Sequence, residues 1–283
     1  MTTTLTNQSK ETDRLDRIIQ EEQIRTVFQP IVDFREQETS TFSHEALTRG
    51  PHDTPFESAT DLFNSARHQG RLYDLERVAR KNAIRRLVQE FGHDEILFLN
   101  VDPNIIYDPS FRRGNTIEFM EEYGLDQNQV IFEITEHNQI KDNHAFEKAI
   151  RHYRNQGFRI AVDDVGTGYS NLEMIARLQP EFLKIDMTII RELHRNQARY
   201  QLVQTITDFA ERIETSVIAE GIETRKELET VLSLGIEFGQ GYFLARPDRH
   251  PEISGELMDK INRKSTSQSG NREDPPRLED IAQ

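Results

Sequence analysis

Eight short apolar runs recur along this chain, and from the third onward each is joined to the next by a segment with helical spacing. They read TVFQPIVDF, STFSHEALTR, EILFLNVDP, VIFEITE, FRIAVDD, FLKID, TSVIAEG and IEFGQGYF. Runs that stay apolar suit strands covered on both faces, the habit of a parallel sheet packed between helices. Helices are expected near Ser58 to Gln69 and Leu72 to Phe91, then at Asn115 to Tyr123, Asp142 to Gln156 and Asn171 to Leu178. Two more are expected at Thr188 to Ile213, continuous or broken near Arg195 and Asn196, and at Arg225 to Leu234. Gly70, Gly92, Gly124, Gly157 and Gly235 stand where such helices stop. The first two runs are separated only by REQET, so they pair as a hairpin and the sheet does not begin with a plain strand-helix unit. Eight strands in this order predict an α/β fold, a closed barrel of the triosephosphate isomerase type modified by its opening hairpin. The alternative is an open doubly wound sheet, but no glycine-rich nucleotide fingerprint follows an early strand.

The expected organisation is a flexible N-terminus with a short helix over residues 1–24, a barrel over 25–262 and a disordered polar tail over 263–283. With 49 acidic and 35 basic residues the net charge is −14, which disfavours DNA, RNA and anionic membrane as partners. A phosphate ligand on such a chain needs a local reversal of field, by metal or by a few placed cations. There is no cysteine, which excludes disulfides, thiolate metal sites and cysteine nucleophiles and suits the cytoplasm. No apolar run reaches the roughly 18 residues of a membrane span.

Inside IAVDDVGTGYSNL, two adjacent carboxylates, Asp163 and Asp164, are delivered by a strand into a glycine-bearing turn. Neighbours in mid-strand face opposite sides, whereas at a strand end both can approach one centre. Two close unneutralised carboxylates require a cation, a shared proton or full solvation. Other strand runs also end in groups able to hold a cation or move a proton: Glu45, Asn100, Glu133 with Glu136, Lys184 with Asp186, and Glu220. In a barrel those ends converge on one face, where active sites are built.

The donors are oxygen only, which selects Mg²⁺ or Mn²⁺, and so many carboxylates suggest two cations. A pair of metals about 4 Å apart suits in-line hydrolysis of a phosphodiester. Arg49 could then fork onto a phosphate, Lys184 orient the water and Glu220 accept its proton. Taken singly these residues have plainer readings. Glu45 is then a strand-end charge, Asn100 a turn former, Lys184 and Asp186 a same-face ion pair, and Glu220 a helix-start acid.

The ordered set resembles the EAL-domain cyclic di-GMP phosphodiesterases. It comprises Glu45-Ala46-Leu47 with Arg49, Asn100, ITE with Glu133 and Glu136, DDxGTGYSNL from Asp163, KID from Lys184, AEGIE from Ala219 and GQGY from Gly239. The resemblance runs from about Gln29 to Pro247. It implies hydrolysis of cyclic di-GMP to linear pGpG with Mg²⁺ or Mn²⁺, on a barrel whose first strand runs against the others. Glu45, Asn100, Glu133 and Asp163 are implied ligands of one metal. Asp163 and Asp164 are implied ligands of a second, helped by Glu220. Lys184 and Glu220 position and deprotonate water, while Gln29, Leu47, Arg49 and Gln240 line the substrate, with Asp186 assigned beside them. Glu136 braces the loop after Asp164, a loop that implies a homodimer.

Two departures stand out. DDVG replaces the usual DDFG, placing Val165 where an aromatic is common, and EALTRGP replaces EALLRW, placing Gly50-Pro51 beside the expected guanine pocket. No cyclase or sensory motif is visible, so a signal is expected through a regulatory protein partner, a terminal segment or dimerisation. The alternative within the same resemblance is a catalytically weak receptor or protein-interaction module, and a different metal-dependent barrel hydrolase is the third reading.

Overall fold

The computed structural model describes residues 12–35, 40–135, 143–167 and 172–253. Eight strands close a barrel in sequence order. They are β1 (Arg25–Asp33), β2 (Ser40–Arg49), β3 (Leu97–Val101), β4 (Val130–Thr135), β5 (Arg159–Val165), β6 (Phe182–Ile185), β7 (Ser216–Ala219) and β8 (Phe238–Gly239). β1 is antiparallel to both β2 and β8, and every other neighbouring pair is parallel. The hairpin explains the reversal: the few residues between Asp33 and Ser40 can turn the chain back but cannot cross over the sheet.

Around the strands run α1 (residues 12–20), α2 (Ala59–His68), α3 (Leu72–Phe91), α4 (Asn115–Tyr123), α5 (Asn143–Arg154) and α6 (Leu172–Leu178), followed by α7 (Met187–Ile190), α8 (Gln197–Arg212) and α9 (Arg225–Ser233). Local signals set their ends. Ser58 Oγ accepts from the Asp61 amide to start α2, and Gly124, at φ 73°, stops α4. The stretch expected as one or two helices breaks after Ile190, passes through a 3₁₀ turn at Leu193–Arg195 and restarts at Gln197, where Asn196 caps the Arg199 amide. Among the described residues, no helix is long and apolar enough to cross a membrane.

Two differences from the sequence reading concern strand ends. The last strand is two residues long rather than the whole of IEFGQGYF. Past Gly239 the backbone of Gln240 bonds Ala219 and Ile222, while Asp248 pairs with Phe28 to cover the rest of β1. After β3, Asp102 caps a 3₁₀ turn over Pro103–Tyr107 that the periodicity did not reveal.

The barrel interior and its outer jacket are built by the two faces of each strand. Ile31, Phe98, Ile131, Ala161, Phe182, Ile218 and Phe238, with Phe42, fill the inside as an apolar floor. Their neighbours along the strands, such as Leu97, Leu99, Ile160, Val162 and Leu183, pack outward against the helices in one large cluster. The floor matters for function because the side chain two residues along each strand points to the same interior, one layer nearer the mouth.

The N-terminal helix is integrated with the barrel's jacket. Leu15, Ile18 and Ile19 of α1 are buried with Phe56, Leu62, Ala66, Leu75, Val78 and Ala79, so α1 covers the α2 and α3 pair. The expected tail over 263–283 lies outside the described residues.

Candidate active site

Counting two residues from the apolar floor along the strands gives most of the polar layer. Phe98 leads to Asn100, Ile131 to Glu133, Ala161 to Asp163, Phe182 to Lys184, Ile218 to Glu220 and Phe238 to Gln240. On the reversed first strand Ile31 leads back to Gln29, whose register partner on β2 is Glu45. The period of two therefore brings carboxylates and one ammonium from separate strands into a single ring above hydrocarbon.

Lys184 is the hub. Its side chain is 1% exposed, and Nζ lies 2.7 Å from Glu133 Oε1, 2.7 Å from Glu220 Oε1, 3.3 Å from Glu45 Oε2 and 3.7 Å from Asp163 Oδ1. Four carboxylates thus face one ammonium, and their ionisation is shared out accordingly. Burial disfavours the Lys184 charge, yet Asp163, Glu133, Glu220 and Glu45 together hold its pKa well above the ordinary value. Glu45 is also buried, but the Lys184 charge and hydrogen bonds from Gln240 and Asn100 keep it below the usual carboxylate range. The surplus falls on Glu133 and Glu220. Burial first, then Glu45 and Asp163, push Glu133 well above its ordinary value. Burial first, against the opposing Lys184 charge and with Asp163 and Glu45 adding to it, pushes Glu220 up to about 8.

A hydrogen-bonded frame fixes Glu45 at the centre. Asn100 Nδ2 donates to Glu45 Oε1 at 2.9 Å, and Gln240 Nε2 donates to Glu45 Oε2 at 2.8 Å. Gln240 Nε2 also reaches Gln29 Oε1 at 3.2 Å, and Gln29 Nε2 donates to the Ala245 carbonyl at 3.2 Å. These contacts tie β1, β2, β3 and β8 to one carboxylate.

The adjacent acids on β5 are not placed by a strand end, as the sequence reading held. The strand continues to Val165, and the pairing with β6 slips between Val162 and Val165. Asp164 within that bulge takes φ +58°, a left-handed conformation that is unfavourable for a residue with a side chain. The extra residue cancels the alternation, so oxygen atoms of Asp163, Asp164 and Glu220 lie within 4.8 Å of one another. Val165 itself is buried in the jacket, opposite Ile185.

The ring is flanked by two hollows that share Glu45. One, of about 330 Å³, runs past Leu47, Arg49 and Asn100 to Phe63, Arg67, Glu76, Arg80 and Asp102. The other, of about 210 Å³, lies between Gln29, Gln240 and Tyr242 on one side and Met187, Glu220, Gly221 and Glu223 on the other. Gly50 closes the loop beside the first hollow, because a Cβ there would stand 2.0 Å from the Phe56 carbonyl oxygen.

Most residues singled out from the sequence meet here: Glu45, Asn100, Glu133, Asp163, Asp164, Lys184 and Glu220 in the ring, Gln29 and Gln240 bracing it, Leu47 and Arg49 in the first hollow. Asp186 lies apart from them. Its carboxylate accepts from the Thr188 amide at 2.8 Å and from the Thr188 hydroxyl, capping α7, and it makes no pair with Lys184. Glu136 lies outside the described residues.

Sequence reading missed the helix-borne groups of the first hollow. Arg80 and Glu76, four residues apart on α3, are each 4% exposed, and Arg67 bonds Asp102 at 2.9 Å. Glu76 Oε1 accepts from the Asp102 amide, and burial first, with Asp102 adding and Arg80 opposing, pushes its pKa up to about 8. Their signal was available: two charged residues sit in the mostly apolar buried stripe of α3.

Comparison with known proteins bears on this architecture. The EAL domain family model matches residues 12–247, which includes α1. An uncharacterized protein of Mycobacterium tuberculosis (strain H37Rv) is 31% identical over 257 residues, covering 86% of this chain and 39% of that protein. The cyclic di-GMP phosphodiesterase PdeF of Escherichia coli (strain K12) is 35% identical over 130 residues, 46% of this chain and 17% of that protein. The chain therefore spans well under half the length of these curated relatives. Among solved structures, Klebsiella pneumoniae BlrP1 in a calcium and cy-diGMP complex superposes with a TM-score of 0.74 at 28% identity, over 82% of this chain and 58% of that one. A standalone versatile EAL protein from Vibrio cholerae O395, in its c-di-GMP-bound form, gives 0.72 at 29% identity, over 83% of this chain and 97% of that one. By the match of the family model across its barrel, the chain belongs to the EAL domain family.

Proposed function

We propose that this barrel is a metal-dependent phosphodiesterase that hydrolyses cyclic di-GMP to linear pGpG. The observation that carries the proposal is the surplus of carboxylates over ammonium in the ring, between two hollows that share Glu45. The donor set fits divalent cations. Asp163, Asp164 and Glu220 present oxygens within 4.8 Å of one another, and Glu133 Oε2 is buried without a hydrogen-bond partner. Hard oxygen donors in this number suit Mg²⁺ or Mn²⁺. Asp163, Asp164 and Glu220 would hold one ion, and Glu45, Asn100, Glu133 and Asp163 the other. Two such ions, when bound, supply Lewis-acid polarisation of the phosphoryl group and a lowered pKa for water.

The remaining work belongs to the chain. The two hollows on either side of Glu45 suit the two halves of a dinucleotide, with the phosphodiester to be cut across the ring. Arg49, lining the larger hollow, offers a planar fork for a phosphate. Lys184 holds Glu220 at 2.7 Å, so Glu220 is oriented to accept the proton of the attacking water. The water oxygen bonds to phosphorus, the bond from phosphorus to the ribose 3′ oxygen breaks, and the 3′ oxygen takes up one proton, balancing the one given to Glu220, so the product carries a free 5′-phosphate and a 3′-hydroxyl. Gln29, Gln240 and Asn100 keep Glu45 in one orientation throughout. The named activity of PdeF and the nucleotide in the BlrP1 and Vibrio cholerae complexes support the choice of substrate.

Incubation with cyclic di-GMP and Mg²⁺ or Mn²⁺, followed by chromatographic separation of nucleotides, tests the proposal. We expect pGpG from the unaltered chain and none from Glu45→Ala or Glu220→Ala. Tight nucleotide binding with no product in either metal would replace catalysis by a receptor role.

A further inference from the structure

The geometry points to Glu227 as a positioning residue for the reaction, one that staples together the loops that follow the Lys184 strand and the Glu220 strand. The inference rests on the phosphodiesterase reading above. Glu227 lies in the first turn of α9, contributes nothing to either hollow and is 3% exposed. Its two carboxylate oxygens accept three backbone N–H groups. Oε1 takes the Glu192 amide at 2.9 Å, while Oε2 takes Glu223 at 3.0 Å and Thr224 at 2.8 Å.

Two of those bonds close the start of α9, where the Thr224 hydroxyl in turn accepts the Glu227 amide, a reciprocal capping box. The bond to Glu192 is not part of that box. It crosses to the segment between α7 and α8, thirty-five residues away in sequence. Glu192 there holds φ +54°, a conformation that a residue with a side chain keeps only when its surroundings impose it. Burial alone would disfavour the Glu227 charge, but the Glu192, Glu223 and Thr224 donors hold its pKa below the ordinary value. A buried carboxylate satisfied by three amides is a rigid link, since releasing any one strands part of a desolvated charge.

The link acts where the second hollow is built. Met187, five residues before Glu192, packs so closely on Gly221 that a Cβ on that glycine would lie 2.3 Å from Met187 Cβ. Met187, Gly221 and Glu223 line this hollow beside Glu220. Arg191 and Glu223 add an outer contact at 3.0 Å between the same two loops. Without the Glu227 bridge, the polar contact left between the outer parts of the Met187 loop and the Glu220 loop is this exposed pair, which is weak in water, beside the packing of Met187 on Gly221 and the Glu220 amide bond to the Ile185 carbonyl at their base. The hollow then forms in only a fraction of molecules, and substrate must select them.

This makes a specific kinetic prediction. When the competent conformation is only fractionally populated, KM rises by the inverse of that fraction while turnover at saturation is kept. For Glu227→Ala we expect KM for cyclic di-GMP to rise roughly tenfold, with kcat within about threefold of the unaltered chain. A residue that serves folding alone would lower kcat per mole of protein and leave KM unchanged, and that result overturns the inference. Glu227→Gln keeps one acceptor oxygen and should give an intermediate KM. The double variant E192G/E227A should recover part of the loss, because glycine adopts the left-handed turn without the staple. No recovery together with an unchanged KM would also overturn it.

A readout independent of turnover separates this inference from the phosphodiesterase reading. Hydrogen exchange in the nucleotide-free full chain should quicken at the Glu192 and Glu223 amides in Glu227→Ala. Unchanged protection there refutes the staple, whether or not the chain hydrolyses the nucleotide. Quickened exchange in a chain that makes no pGpG supports the staple and refutes the reaction.

Discussion

Titration of Mn²⁺ into the metal-free protein is expected to expel protons, because the ring holds more carboxylates than its one ammonium can neutralise. Glu220 has its pKa pushed up to about 8, by burial first and then by Asp163 and Glu45. At pH 7 its carboxyl is therefore held largely protonated, and a cation that engages it releases a proton. Glu133, raised well above its ordinary value by burial first and then by Glu45 and Asp163 against Lys184, shifts the release in the same direction where the cation also engages it. The sign follows directly. Protons and Mn²⁺ compete for the same oxygens, so apparent affinity rises with pH, by close to tenfold per unit below about pH 8 for each proton displaced. Above that pH the Glu220 contribution flattens. Calorimetric titration at pH 7 in two buffers of different ionisation enthalpy measures the release, and repetition at pH 6 and 8 measures the slope. Glu220→Gln should lower the release by about one proton. Binding enthalpies that do not depend on buffer, with affinity flat from pH 6 to 8, would refute the shared-charge reasoning.

Three other substitutions probe separate links. Lys184→Met removes the ammonium that contacts both Glu133 and Glu220, and should lower hydrolysis at least about 100-fold while leaving Mn²⁺ affinity equal or tighter; equal loss of metal binding and turnover would show that the lysine acts by holding the ring together. Glu76 has its pKa pushed up to about 8 by burial, so the stability of its protonated form is complete below the ordinary value near 4.5 and is lost as pH rises toward 8. Glu76→Gln should therefore flatten the fall in Tm between pH 5 and 8, by an amount worth at most about 5 kcal/mol, and an unchanged Tm profile would count against it. Asp164→Gly should be more stable than Asp164→Ala by about 1 kcal/mol in chelator, measured by urea unfolding, because only glycine accepts φ +58° freely. Equal stabilities would remove the strain from the bulge.

How far the sequence carries this account depends on which periodicity a residue obeys. The strand-borne groups were legible because each follows a floor residue by two positions, as Asn100 follows Phe98 and Lys184 follows Phe182. The same rule places Asp163 but misleads at Asp164, where a bulge and a left-handed residue cancel the alternation; the glycine after Val165 signals a turn but not this bulge. Asp186 fell in the motif but not in the ring, since one residue past β6 its side chain is captured by Thr188. That capture is readable in hindsight from an acid two residues before a threonine at a helix start. Glu76, Arg80 and Glu227 were invisible to a search confined to strand ends, because helices bring them in from outside. Their buried charges interrupt apolar stripes on α3 and α9, and that interruption is the signal to look for. The departure at Gly50 has a steric reason, the approach of the Phe56 carbonyl, which composition alone does not encode.

Crystals of the full chain grown with Mn²⁺ and cyclic di-GMP, measured at the manganese absorption edge, put the central claim to its most direct test. The account predicts anomalous peaks bounded by Asp163, Asp164 and Glu220 and by Glu45, Glu133 and Asn100, with a phosphate of the nucleotide against them. Nucleotide seated in the hollows with no manganese among these carboxylates would contradict it.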